Sequence, residues 1–220
     1  MDGFDQIQPF SSVMEENMML THFPYVVTPP LTNCLESDVQ AFLEANGRPK
    51  TLAHVQAVAE VCGQIARQYG LDERKCRAAG LLHDISAVIK PADMLHYVAS
   101  HSLPVCEAEE RYNFLLHQRM SRFVAEDHFG MTDSAVLSAI ECHTTLYANA
   151  TSYDMALFIA DKLAWDQQGI PPYDEAVRHA LDHSLEAACL AYMEDTMTSG
   201  RMLCPHTNWT LAYDWLTQKP

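Results

Sequence analysis

The sequence predicts an all-α protein, and three observations carry that expectation. From Ser37 onward apolar residues recur at alternating steps of three and four, the period of a helix with one buried face. Capping residues and helix-stopping glycines fall at intervals that suit such helices. Strand signals are few by comparison.

Element by element, Ser37 caps a helix over 38–46 that Gly47 stops. The next helix, over 51–69, carries Val55, Val58, Cys62, Ile65 and Tyr69 on one seam and ends at Gly70. Asp72 caps a helix that runs through Asp84, and Pro91 starts a short one to Ser100. A long helix spans 107–128 and closes at Gly130, after which Thr132 caps 133–143. Thr151 or Ser152 opens a helix to Trp165. After Gly169-Ile170-Pro171-Pro172 a long helix extends to Thr198 and closes at Gly200, and the tail from His206 to Gln218 forms one more. Residues 1–33 differ. Weak periodicity, Phe23-Pro24, Pro29-Pro30 and several methionines (Met14, Met18, Met19) predict an irregular arm with a turn of helix around 13–20. Its methionines suit a groove on the body or a homodimer contact. Residues 34–220 are then a single helical domain.

A chain of 220 residues suits one medium domain and needs no disulfide or metal staple merely to fold. Lys plus Arg number 14 against 29 Asp plus Glu, a formal charge of −15. That balance argues against a nucleic-acid polymer or an anionic membrane as partner, since both need a concentrated basic surface. A small phosphorylated substrate is compatible with it only if a few cations, metal ions included, supply positive charge locally. The 7 cysteines contain no Cys-x-x-Cys pair, so neither a disulfide framework nor a cysteine-rich zinc site is expected. Reduced thiols, an acidic N-terminus and the lack of a long apolar run predict a cytoplasmic protein without a signal peptide or membrane span.

The residues that carry chemistry interrupt the buried seams. His83-Asp84 follows the apolar segment Ala78-Ala79-Gly80-Leu81-Leu82, an odd place for two ligand-type side chains. His54 lies beside the seam of its helix, His117 shares a face with Ser121 and Val124, and His143 continues the stripe of Val136, Ala139 and Ile140. Asp161 sits inside Leu157-Phe158-Ile159-Ala160-Asp161-Lys162-Leu163, where a carboxylate points inward on most registers. A buried histidine serves as a hydrogen-bonded core residue more often than as a ligand, but an unpaired buried carboxylate costs several kcal/mol. One or two divalent ions would satisfy these histidines and aspartates together. Imidazole plus carboxylate without thiolate suits iron, manganese, zinc or nickel better than calcium or magnesium alone.

His54, then His83-Asp84, then Asp161 in Ala160-Asp161-Lys162, resembles the H…HD…D signature of the HD-domain phosphohydrolase superfamily. With Leu115-Leu116-His117 and His143-Thr144-Thr145 added, the chain resembles the YqeK-like branch of symmetrical diadenosine tetraphosphatases, from about Ser37 to Asp161 and more loosely beyond. The resemblance implies an HD-type helical bundle enclosing a metal site, with His54, His83, Asp84 and Asp161 holding the first divalent ion, iron first in preference. It also implies that His117 and His143 hold a second ion or contact substrate phosphates, with Thr144 and Lys162 beside them. Asp84, having two oxygens, is the natural bridge, and Asp84, His117 and His143 are the candidate catalytic residues.

Three departures bear on substrate choice. The superfamily often has Lys three residues after the motif aspartate, and the branch has Arg six residues after the final one; Ala87 and Gln167 stand there. The glycine that commonly follows the His-Thr-Thr element is Leu146. The cage is thus intact while the usual phosphate clamp is thinned, with Lys90, Lys162, Arg119 and Arg122 as candidate replacements; Lys162 serves equally as a salt-bridged helix residue. The loop from Trp165 to Tyr173 suits a nucleobase border or, better, a structural corner. Pro205-His206-Thr207-Asn208 loosely resembles a nucleotide-contacting segment of the branch, although Thr207 or Asn208 suits a helix cap. The expected activity is metal-dependent hydrolysis of a nucleotide-like phosphate substrate, such as symmetrical cleavage of a dinucleoside tetraphosphate. The alternatives are a nucleotidase or phosphodiesterase on another small ester, and a regulatory metal- or nucleotide-binding module without turnover.

Overall fold

The computed structural model describes residues 19–165, 167–200, 202 and 204–219. These form eleven α-helices and no strand: α1 (Leu35–Ala45), α2 (Pro49–Tyr69), α3 (Glu73–Leu82), α4 (Pro91–Ser100), α5 (Glu107–Arg111), α6 (His117–Asp127), α7 (Ser134–Cys142), α8 (Ser152–Leu163), α9 (Asp174–Leu181), α10 (Leu185–Thr198) and α11 (Thr207–Thr217). The helical turn expected around 13–20 lies almost wholly outside the described residues, which begin with a 3-10 turn at Met19–His22.

The helix starts obey capping chemistry, with corrections to the sequence-based positions. Asp72 caps α3 as expected, accepting from the N–H groups of Arg74 and Lys75. Asp133, not Thr132, caps α7 through Ala135 and Val136, because an ionised carboxylate is the better acceptor at a helix N-terminus. Helix α1 begins at Leu35, which puts Ser37 inside its first turn. Thr151 caps α8 in a reciprocal box with Asp154. His206, rather than Thr207 or Asn208, caps α11, its Nδ1 accepting from the N–H of Asn208.

Two helices expected to be long are each broken. Between α5 and α6 the chain leaves the helical region at Tyr112 (φ −131°, ψ 80°) and makes a 3-10 turn over Asn113–Leu116. Between α9 and α10, Ser184 is extended (φ −163°, ψ 162°) and its hydroxyl accepts from the N–H of Ala187, which restarts the helix. Locally bonding serines offer the backbone this alternative to a continuous helix. Helices α3 and α8 also stop earlier than expected, at Leu82 and Leu163.

Packing centres on α2, which lies against α3 most extensively and also against α1 and α8; α7 packs on α3, α6 and α8, and α10, paired with α9, closes against α8. Helix α8 is enclosed on nearly every side, from Asp154 to Ala160 without a break. A carboxylate placed one residue further on has little access to bulk water. No helix among the described residues is long and apolar enough to cross a membrane.

Candidate metal centre

Three of the four histidines picked out in the sequence sit at the same local position, immediately after a helical segment ends. His83 follows α3, His143 follows α7, and His117 follows the 3-10 turn. At each, the ring folds back so that Nδ1 donates to the carbonyl three residues earlier: Gly80 (2.8 Å), Ile140 (2.8 Å) and Phe114 (2.6 Å). One interaction thus satisfies a helix-end carbonyl, fixes the tautomer and directs the Nε2 lone pair toward a common point. His54 differs, lying inside α2 with a buried Nδ1 that has no partner among the described residues.

All six cage candidates converge. His54 Nε2 lies 3.1 Å from Asp161 Oδ1 and 3.3 Å from His83 Nε2, and His83 Nε2 lies 3.6 Å from Asp161 Oδ1. Around Asp84 Oδ1, His117 Nε2 stands at 3.4 Å and His143 Nε2 at 3.5 Å, with the two Nε2 atoms 2.9 Å apart. The other oxygen of Asp84, Oδ2, is the one near His83, at 3.7 Å. Four ligands at about 2.1 Å around a tetrahedral ion stand about 3.4 Å from one another, close to the distances in both sets other than the shorter one between His117 and His143. Asp84 therefore offers one oxygen to each set.

The donor chemistry fits a divalent cation. With Nδ1 of His117 and His143 both committed as donors, two Nε2 lone pairs face each other at 2.9 Å beside a carboxylate oxygen, an arrangement that repels unless a positive charge sits between. Protonation is a poor remedy for His143: burial, together with the charges of His117 and His83, lowers its pKa to about 4 despite Asp84. Burial alone would also lower the pKa of His83, but Asp84 and Asp161 outweigh it and the net direction is upward. Both carboxyls are held well below their ordinary range against the effect of burial, Asp84 chiefly by His83 and His143, Asp161 chiefly by Lys162 and His54. Imidazole with carboxylate is a set for a first-row transition metal.

A shell of polar residues holds the cage, and of these only Lys162, as a salt-bridged helix residue, was expected in such a role. The hydroxyl of Ser86, just past Asp84, donates to the carbonyl of His117, and Ser121 donates to Ser86 (2.9 Å each). Buried Gln118 donates to Thr145 Oγ1 and accepts from the N–H of Thr144, clamping the turn after His143 to the start of α6. Thr144 Oγ1 itself lies 3.2 Å from His117 Nε2. Lys162 Nζ donates to Asp161 Oδ2 at 2.5 Å and to the carbonyl of His143 at 3.1 Å, so its charge orients a cage residue and ties α8 to the His143 turn. Leu146, standing where the resemblance has glycine, is fully buried at φ 54°, the left-handed region glycine favours.

Two cavities reach the cage. One, of about 300 Å³, has Tyr112, Phe114, Tyr192 and Trp209 among its walls and touches the cage at Thr144 and Lys162. The other, of about 360 Å³, is bordered by Asp84 and His117 together with Arg48, Ala87 and Lys90. Trp165 instead packs edge-on against buried Tyr173, whose hydroxyl donates to the carbonyl of Lys162, so this loop is a corner. A third group of ligand-type side chains, Cys106, Glu109 and His206, has different chemistry. His206 Nδ1 accepts from a backbone N–H, which leaves the proton on Nε2, and Glu109 is paired with Arg119 at 2.8 Å. This is a helix-cap and ion-pair assembly.

With this fold and cage in place, the chain matches the HD domain family over residues 51–166, more than half its length. It belongs to the HD-domain family and is a phosphohydrolase of that class, whose domains bind divalent metals. Among individual relatives, it is 36% identical over 140 residues to an uncharacterized protein in the pepC 5' region of Lactococcus lactis subsp. cremoris, covering 64% of this chain and 68% of that one. It is 26% identical over 145 residues to the symmetrical bis(5'-nucleosyl)-tetraphosphatase of Halalkalibacterium halodurans, covering 66% and 76% respectively. The crystal structure of a predicted HD superfamily hydrolase involved in NAD metabolism, from Clostridium acetobutylicum, superposes with a TM-score of 0.73 at 25% identity, covering 82% of this chain and 96% of that one.

Proposed function

We propose that the protein hydrolyses a phosphoanhydride or phosphoester bond of a nucleotide-like substrate at a centre of one or two divalent transition-metal ions, with iron preferred over manganese, zinc or nickel. The observation that carries this reading is the disposition of Asp84, one oxygen toward His83 and the other toward His117 and His143. His54, His83, Asp84 and Asp161 hold the first ion, and His117 and His143 with Asp84 hold the second or meet the substrate phosphate. Bound there, a divalent ion supplies Lewis acidity toward a phosphoryl oxygen and lowers the pKa of water.

The chain's own residues supply the rest. His83, His117 and His143 keep their Nε2 atoms directed inward because their Nδ1 atoms are tied to carbonyls. The Thr144 hydroxyl, beside His117, donates to a phosphoryl oxygen as negative charge builds there. Lys162 acts through Asp161 and the His143 turn and keeps both in place. The aromatic cavity at Thr144 suits a base, which stacks on aromatic faces. A phosphoanhydride releases a phosphate group that needs little protonation, which agrees with a site in which no separate general acid stands out.

The substrate favoured by the similarity to a symmetrical tetraphosphatase is a dinucleoside tetraphosphate cleaved to nucleoside diphosphates. A cytoplasmic setting and a small-molecule rather than polymeric nucleic-acid partner accord with the charge of −15. The test is a hydrolysis panel with metal-quantified protein: dinucleoside tetraphosphates, nucleoside mono-, di- and triphosphates, and simple phosphodiesters. Turnover of a nucleotide that disappears in Asp84→Ala is the expected result. Full metal loading with no turnover of any of these would leave the regulatory binding module as the better reading.

A further inference from the structure

We propose that Arg48 and Lys90 form an anion subsite beside the metal centre, which takes the phosphates beyond the one being attacked and so sets preference for a longer phosphate chain. In identifying the anion as part of the substrate, this rests on the phosphohydrolase reading above.

Cations are scarce in this protein, 14 against 29 acids, and most of them are already committed. Lys75 is held by Asp133, Arg77 by Glu60 and Lys162 by Asp161. The two arginines considered from sequence as replacements, Arg119 and Arg122, are paired with Glu109 and Glu141 and border a different cavity. Arg48 and Lys90 are the exceptions that matter. Both line the cavity formed with Asp84 and His117, and neither makes an ion pair with a carboxylate among the described residues.

The backbone reinforces the side chains. Arg48 is the N-cap of the 21-residue helix α2 and Lys90 the N-cap of α4, each followed by proline. Two helix N-termini, carriers of partial positive charge, therefore border the same cavity. The first turn of α2 contains no acidic residue to offset its dipole, and Lys50 adds further positive charge, whereas Asp93 stands in the first turn of α4. Cations at the positive end of a helix are locally unfavourable, and an anionic ligand would relieve them. Lys90 is also positioned: its Nζ lies 4.6 Å from the centre of the Tyr25 ring, and the Tyr25 hydroxyl donates to Asp93 at 2.6 Å. Ala87, on the same wall, leaves room where a long side chain would fill the space. The positive charge missing at Ala87 and Gln167 is thus supplied from other positions.

The test uses the full-length, metal-loaded protein and its Arg48→Gln, Lys90→Gln and double variants, with Arg74→Gln as a control that removes one exposed charge elsewhere. Two quantities are read: steady-state kinetics with diadenosine tetraphosphate, and binding of its methylene-bridged, non-hydrolysable analogue by calorimetry. KM and Kd are expected to rise about tenfold for each substitution and roughly a hundredfold for the pair, with the loss falling on KM rather than kcat. The Arg74→Gln control is expected to change neither. Weakened analogue binding in the variants of a protein that turns nothing over would uphold the subsite and remove the hydrolase reading. Turnover with unchanged KM and Kd in the double variant, or no analogue binding by the wild type, would overturn the subsite.

Discussion

Replacing Gly80 by alanine should loosen the metal centre without touching a ligand. A Cβ built on Gly80 would lie 2.6 Å from Ala59 Cα and 2.8 Å from Ala59 N, where ordinary contact begins at 3.4 Å. The obstacle is the backbone of α2, which cannot rotate away, so α3 must withdraw by about 0.8 Å, from 2.6 to 3.4 Å. Overpacking of this kind costs about 1–3 kcal/mol, offset by about 1 kcal/mol from the better helix propensity of alanine. We expect a net loss of up to about 2 kcal/mol, or up to roughly 8 °C in melting temperature for a domain of this size. The larger effect is on function. Helix α2 carries His54 and α3 delivers His83 and Asp84, so the 3.3 Å separation of His54 and His83 cannot be kept. Displacements near 1 Å cost up to about a hundredfold in rate. Gly63→Ala is the matched control in the same interface, because the atoms nearest its Cβ would be those of the flexible Glu73 and Arg77 side chains, at 3.2 Å or more. Thermal melts, metal titration and kcat on the pair form the assay. Gly80→Ala as stable, as metal-avid and as active as Gly63→Ala would refute the reasoning.

Lys162→Met should lower the stability of the metal-free protein by about 1.5–3 kcal/mol, since it removes a charge-assisted hydrogen bond from the mostly buried carboxylate of Asp161 and leaves it only the imidazoles of His54 and His83. Added divalent ion should recover much of that, and an equal loss with and without metal in urea titrations would count against the pairing. Burial holds His128 below its ordinary pKa, partly opposed by Asp38, and its Nε2 has no partner among the described residues. The unfolded chain then binds the proton more readily, so the stability contributed by neutral His128 is complete above about pH 6.5 and is lost as pH falls below it. Melting temperature should drop between about pH 7.5 and 5.5, and His128→Phe, which keeps the contacts with Phe42 and Phe129, should flatten that drop. An identical slope in the variant would show that other groups cause it.

The cage was legible because its residues violate the pattern around them. His54 and Asp161 are polar side chains within apolar helical stretches, and His83-Asp84 ends a segment that has to be buried. The two helix breaks were not legible, because the apolar period runs straight through them. Ala108, Tyr112, Leu116, Met120 and Val124 keep a spacing of four across the first, and Leu181 and Leu185 do so across the second. Yet the first break is what frees the Phe114 carbonyl to orient His117. Gln118 and Ser121 read as ordinary polar helix residues and Ser86 as part of a connection between helices, since their role depends on partners 27, 31 and 35 positions away. For the same reason Arg119 and Arg122 looked available to a phosphate until the fold brought Glu109 and Glu141 against them.

The most direct test of the central claim is anomalous diffraction at the metal edge from crystals of the metal-loaded protein. Density is expected among the Nε2 atoms of His54 and His83 and the Asp161 carboxylate, with Asp84 reaching the same ion. A second peak, where two ions bind, should fall between Asp84, His117 and His143. The same crystals of Asp84→Ala should lose the second peak and weaken the first. Density only at the Cys106, Glu109 and His206 cluster, or loaded protein with no peak near Asp84, would contradict it.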